Sequence, residues 1–396
     1  MPARLQVPVD QLRIGMYVAE LDRPWLDTKF PFQGFPIASE ADLARLRQTC
    51  KTVFIDLEKG LAPARSAPAP TPPQAPRYPE QLPVEKALGP AKALYDECRR
   101  ALEKTVKTLM AGGELDVQGV KTAVEKVADA IERNPDAVLL LSKLRQRGEQ
   151  QLLRALDVSV LMMTFGRFLQ LPRDQIDQLG LVGLLQDIGK LKVPEAVLAK
   201  REPLSAEELR QARAHVLHSA AMLREAQGLP SGLADLVLLH HERYDGSGYP
   251  RGLAGADIGM VGWIAAIADS FSAMTSVRPN AEQMSASNAL GALYKARGTL
   301  YHEALVEQFI QCIGIYPVGS VVQLNSGEIG VVIAQNRVRR LQPRVMLLLD
   351  AQSNPISPQR ILDLIREPAS PSGEPYRIRR TLEASKLPLD PRDFFL

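Results

Sequence analysis

The chain has 396 residues, 45% apolar and 23% charged, with a formal net charge of +3. This is a globular composition, too long for one ordinary core, so two or three domains are expected. No arginine–aromatic ladder or long basic run accompanies the small positive charge, which argues against a nucleic-acid polymer as partner. The cysteines (Cys50, Cys98 and Cys312) lack metal or disulfide spacing, the start lacks the apolar core of a signal peptide, and no apolar run approaches the roughly 20 residues of a membrane span. A cytoplasmic protein is expected.

In chain order, "GMYVAEL" and "TVFIDL" read as strands, and "SEADLARLRQTC" between them reads as a helix capped by Ser39. Residues 1–60 thus form a small α/β module. Nine prolines between Pro63 and Pro90 then mark an extended tether, placed at 61–83. From about residue 84 the pattern is helical. Leu94, Cys98, Leu102, Val106 and Leu109 recur at helical spacing, as do Val120, Val124, Val127 and Ile131 after a break at Gly112-Gly113. This connector (84–149) either packs on its own domain or forms a homodimer interface. A helical domain is expected over 150–312. "YPVGSVVQLNSGEIGVVIAQN", with Ser326-Gly327 as its turn, reads as a β-hairpin, and "PRVMLLLD" as another strand. These make a small β module over 313–365, and 366–396 reads as a peripheral tail. The fold class is multidomain and mainly α.

Four of the five histidines fall between residues 215 and 241. His240 and His241 end an apolar helix and run into a loop with Glu242, Asp245, two glycines and a Tyr-Pro. Asp187 ends another apolar helix ahead of Gly189-Lys190, His215 lies on a third, and Asp269 lies in the apolar "WIAAIADSFSAM". A lone buried histidine is usually a hydrogen-bonded core residue, and Asp187 alone could be a cap. The whole set reads as metal ligands, because a histidine pair beside acids has no packing purpose. Imidazoles with carboxylates suit first-row transition metals. His218 has no evident partner and His302 sits apart, so neither is assigned.

These residues carry a resemblance. "LLQDIGKLKVP", "HVLHSAAMLREAQGLP", "HHERYDGSGYP" and "IAAIADSFSAMTSVRP" resemble the HD-GYP family of metal-dependent cyclic di-GMP phosphodiesterases. The likeness covers roughly residues 150–312 and implies an HD-type helical bundle. "VDQLRIGMYVAELDRPWLDTKFPFQGFPI" resembles the domain of unknown role that often precedes it, and "IYPVGSVVQLNSGEIGVV" resembles the strands that often follow. By resemblance, Asp187, His215, His240, His241 and Asp269 match metal ligands, in a centre where two or more metals activate a water. Lys190 and Arg278 match phosphate contacts, and Gly246, Gly248 and Tyr249 match the GYP loop, where glycine lets backbone approach the ligand.

The departures share a direction. Gln186 stands where the family has the histidine of its HD pair. Arg154, or Ala155 on a one-residue slip, stands where it has an earlier histidine. Ser272 replaces a frequent aspartate, and "RPNA" lacks the usual tyrosine and basic residue. Glutamine is a poor ligand and arginine repels a metal. At most one transition-metal site is expected, with iron or manganese as its occupant. Three functions are weighed: a non-hydrolytic regulator binding cyclic di-GMP or a protein partner through the old cleft, a working phosphodiesterase, and another metal-dependent phosphohydrolase. An arginine at 154 could supply the charge of a missing metal between Asp187 and Asp269, with Gln186 completing the network.

Overall fold

The computed structural model describes residues 4–23, 28, 30, 34–56, 78, 81–143, 150–276, 283–336, 339–366, 369–370 and 373–382, with no side-chain description at 150–153. It divides into two compact units, Met1–Pro76 and Arg77–Leu396. In the first, strands β1 (Arg4–Pro8), β2 (Tyr17–Leu21), β3 (Phe35–Pro36) and β4 (Thr52–Asp56) form an antiparallel sheet in the order β1-β4-β2-β3. Helix α1 (Glu40–Thr49) opens with the expected Ser39 cap: its hydroxyl accepts from the Asp42 amide, and Asp42 accepts from Ser39 in return. Leu43 and Leu46 of α1 join Val18, Val53 and Ile55 of the sheet in one buried core.

The second unit begins its helices with α2 (Val84–Met110), capped by Pro83, followed by α3 (Val117–Arg133) and α4 (Pro135–Lys143). The sequence reading carries the extended proline run as far as Pro90; the structure places Pro90 inside α2. The six residues before it already form the first turns, and only the carbonyl of Lys86 loses its donor. One face of α2, from Val84 through Ala91, Tyr95 and Cys98 to Leu102, is buried against α3 and α4. Helices α5 (Gln150–Phe168) and α6 (Arg173–Leu185) pack closely, and α3 and α4 pack on them within the same unit. Val158, Val160, Leu161, Met162, Met163 and Phe165 of α5 are all buried, as for a helix surrounded by others.

The chain leaves α6 through a 3-10 turn at Ile188–Lys192 and continues in α7 (Glu195–Leu198), α8 (Ala206–Arg213), α9 (His215–Glu225) and the short α10 (Leu233–Leu236). Then come α11 (Gly259–Thr275), α12 (Ala286–Lys295) and α13 (Glu303–Ile313). The 21-residue stretch Gly255–Thr275 is long and apolar enough to cross a membrane by length and composition, which corrects the expectation that no run approaches a span. It is a core helix by its surroundings: Ile264 to Ala268 and Phe271 are buried between α5, α6 and α12.

Five antiparallel strands follow, β5 (Val321–Leu324), β6 (Ile329–Ala334), β7 (Arg344–Leu349), β8 (Pro355–Asp363) and β9 (Ile378–Leu382), in the order β8-β7-β6-β5-β9. Ser326 and Gly327 turn β5 into β6 as expected, with Gly327 at φ +97°. The tail expected to be peripheral from 366 onward is not wholly so. Strand β9 pairs with β5 along its length, and Tyr376 is buried in the sheet's core.

The contact that sets the site is between the 3-10 turn and α9. A Cβ on Gly189 would lie 2.1 Å from the His215 carbonyl oxygen and 2.3 Å from the Ser219 nitrogen. Only glycine allows this approach. The Gly189 amide donates to the Ser219 hydroxyl (2.8 Å), which donates to the Gln186 carbonyl (2.7 Å). Gly189→Ala is therefore expected to destabilise the protein by about 1–3 kcal/mol, as overpacking does, and chemical denaturation measures it. An unchanged unfolding midpoint would show that the turn can move aside.

Candidate metal centre

Asp187 follows α6 directly, and the Gly189 contact brings His215, the first residue of α9, against it. His215 Nε2 lies 3.2 Å and His240 Nε2 3.6 Å from Asp187 Oδ1, and the two imidazole nitrogens are 3.4 Å apart. His241 joins them, and one donor atom each from Asp187, His215, His240 and His241 falls within 4.8 Å of all the others, a group that could hold a metal ion. His215 and His240 are fully buried. Their Nδ1 atoms face the carbonyls of Ala212 (2.6 Å) and Val237 (2.7 Å). A carbonyl can only accept, so Nδ1 of each ring carries a proton, and Nε2 is the nitrogen that a metal would take. Asp187 Oδ1 has no hydrogen-bond donor among the described residues. Asp187 Oδ1 and the two Nε2 atoms thus converge on one small volume, and an oxygen-and-imidazole donor set fits a transition metal.

Electrostatics favour the ligand-competent forms. Burial opposes ionisation of Asp187, but Lys190, the His215 and His240 rings and then Arg154 hold its carboxyl well below the usual range. Burial and the neighbouring imidazole of His240 push His241 well below the usual histidine range, so it is neutral at neutral pH.

Asp269 does not join this group. Its Oδ1 accepts from Arg154 Nη2 at 2.6 Å and from Gln186 Nε2 at 3.3 Å, and Arg154 Nη1 lies 3.7 Å from Asp187 Oδ2. Burial opposes the Arg154 charge, but Asp269 and Asp187 outweigh it and raise its pKa further. It is residue 154, not 155, that faces the site. Arg154 Nε, Gln186 Oε1 and Ser272 Oγ are buried without partners among the described residues. Lys190 Nζ is bonded to Asp187 Oδ2 at 2.6 Å.

The loop after His241 has its own anchor. Glu242, fully buried, accepts from the amides of Arg251 (2.8 Å) and Leu253 (2.9 Å). A Cβ on Gly248 would lie 2.5 Å from the Glu242 Cα, so this glycine serves the loop's packing on its own stem. Gly246 adopts φ +81° at a turn. Tyr249 stacks on His241 with ring centroids 4.7 Å apart. The sequence reading assigns no role to Glu242; an acid between paired histidines and a glycine-rich loop was its only signal. His302 caps α13 and packs on Trp263, and His218 lies outside the cluster, as their lack of assignment implies. Arg278 lies outside the described residues.

The comparisons agree with this architecture. Residues 128–305 match an HD domain, residues 4–120 a domain of unknown function (DUF3391), and residues 321–369 a KOW domain associated with HD domain. The chain is 34% identical over 369 residues to a cyclic di-GMP phosphodiesterase of Pseudomonas aeruginosa, covering 91% of this chain and 89% of that protein. It is 35% identical to a cyclic di-GMP phosphodiesterase response regulator of Xanthomonas campestris, over 36% of this chain and 38% of that protein. A cyclic di-GMP phosphodiesterase of Thermotoga maritima is 39% identical over 32% of this chain and 35% of that protein. With a full-length relative, an HD domain match and the HHE…GSGYP loop closing on a histidine-rich cluster, the chain belongs to the HD-GYP family.

Proposed function

We propose that this protein acts in bacterial cyclic di-GMP signalling as a degenerate family member, a non-hydrolytic or strongly impaired phosphodiesterase domain working as a cytoplasmic regulator or binding module. The observation that carries this reading is the 2.6 Å ion pair between Arg154 and Asp269. It commits the second aspartate to a guanidinium and leaves, among the described residues, a single four-donor group, Asp187 with His215, His240 and His241. That group holds one transition metal, iron or manganese by donor type. Arg154 and Gln186 stand at the replaced ligand positions.

A bound metal supplies Lewis acidity toward a phosphoryl oxygen. The chain's own residues do the rest. Lys190 and Arg278 offer positive charge to the phosphates, with Lys190 sharing itself between phosphate and Asp187. The loop of Gly246, Gly248 and Tyr249, fastened by Glu242, frames the cleft. Placing a guanidinium beside Asp269 satisfies the carboxylate but offers no open coordination position, so a hydrolysis that depends on two metals is lost. A protein partner then reads the state of the cleft. The alternative, an active phosphodiesterase working with one metal, is favoured by the full-length relative's being named for that activity.

Elemental analysis of anaerobically purified protein should find no more than one metal per chain, and cyclic di-GMP should give no linear product. Arg154→His with Gln186→His should raise the capacity to two metals. Two equivalents in the natural chain, or steady linear product, would overturn the reading in favour of the alternative.

Removing the guanidinium strands the buried Asp269 carboxylate without its counter-charge, while Asp187 keeps Lys190. Arg154→Ala should lower the stability of the metal-free protein by about 3–5 kcal/mol, measured by chemical denaturation. A neutral effect would mean that the second site is a solvated relic.

A further inference from the structure

The three imidazoles around Asp187 are not held alike. His215 and His240 each have Nδ1 on a backbone carbonyl. Among the described residues no ring hydrogen bond fixes His241. Its ring lies instead between other rings: His240 at 4.1 Å, and Tyr249 at 4.7 Å with planes 23° apart. Tyr249 carries a further layer, the Arg213 guanidinium, 4.8 Å from its ring centroid. Arg213 is the exposed last residue of α8, two positions before His215.

A metal-binding histidine normally has its second nitrogen engaged, which fixes the ring's rotation and decides which nitrogen faces inward. Without that bond either nitrogen can turn toward the cluster unless packing prevents it. Here a near-parallel tyrosine covers the His241 ring, and a cation on an aromatic face is attracted by the ring's quadrupole. The Tyr249 amide also donates to the His241 carbonyl at 3.2 Å, so the stack is tied to its own backbone.

We propose that Arg213 is a positioning residue of the metal centre, holding Tyr249 flat on His241 so that stacking replaces the carbonyl hydrogen bond its two neighbours enjoy. The inference rests on the single-metal reading above. It gives the Ala212-Arg213 dipeptide two tasks: the Ala212 carbonyl orients His215, and the Arg213 side chain orients His241 through Tyr249. One short segment at the α8–α9 junction therefore sets two of the three imidazoles. The segment carries no ligand itself, so ligand motifs alone do not reveal its role.

The test uses the full chain labelled with 15N in its five histidines, without metal, observed through long-range 15N–1H correlations of the rings. His215, His240 and His241 should each show one tautomer. In Arg213→Ala the His241 signals should broaden or double while those of His215 and His240 stay, and Arg213→Lys should restore much of the natural pattern. In parallel, Co2+-loaded protein is mixed with excess chelator. Release should quicken about two- to five-fold in Arg213→Ala, the worth of an exposed cation–π contact, and about ten-fold or more in Tyr249→Leu, as for a lost outer partner of a ligand. Unchanged His241 signals in Arg213→Ala would overturn the proposal. So would equal disturbance of all three imidazoles, which marks general loosening. A natural chain that takes up no Co2+ would refute the metal reading, while the metal-free spectra would still decide the stack.

Discussion

The carboxylate of Asp187 meets a different environment on each oxygen, and the rest of the site follows from that division. Oδ2 faces cations, Lys190 at 2.6 Å and Arg154 at 3.7 Å, while Oδ1 faces the Nε2 atoms of two imidazoles. One oxygen is neutralised inside the protein; the other belongs to the four-donor group that could hold a metal ion. The division depends on where α9 sits. A missing Cβ at Gly189 lets α9 close on the turn after α6, and Ser219 bolts the two together through the Gly189 amide and the Gln186 carbonyl. Asp187 would otherwise be a buried acid with no reason to be there.

Arg154 solves a second problem in the same small volume. Asp187 heads the turn after α6 and Asp269 lies on α11, and two carboxylates screened from water repel unless a positive charge lies between them. A guanidinium spans them with its planar fork, and Gln186 adds a neutral donor to Asp269. An arginine and a metal are not equivalent between two acids: both neutralise them, but only a metal has positions free for a substrate oxygen. The unpartnered Arg154 Nε, Gln186 Oε1 and Ser272 Oγ mark this as a polar pocket less completely satisfied than the imidazole cluster beside it.

Much of this was legible in the sequence where the chemistry is local. The Ser39 cap, the Ser326-Gly327 turn and the histidine pair entering a glycine-rich loop each need only neighbouring residues to be understood. What escaped reading depends on direction in space. Helix spacing could not decide between Arg154 and Ala155, since one residue rotates a side chain by about 100°. The sequence reading offered Asp269, on the apolar α11, both as a metal ligand and as a partner of Arg154, and in the structure Asp269 is bonded to Arg154. Strand β9 was hidden because "RIRRTL" has no apolar alternation, and its pairing with β5 supplies what its side chains do not. Glu242 and Arg213 act through backbone amides and a ring face, contacts that no residue pattern announces.

Between Asp187 and Asp269 lies the Arg154 guanidinium. Anomalous X-ray diffraction from crystals of the full chain grown with Mn2+ tests this arrangement most directly. A single anomalous peak is predicted among Asp187, His215, His240 and His241, with Arg154 still bonded to Asp269. A second peak beside Asp269, with the arginine displaced, would contradict the account.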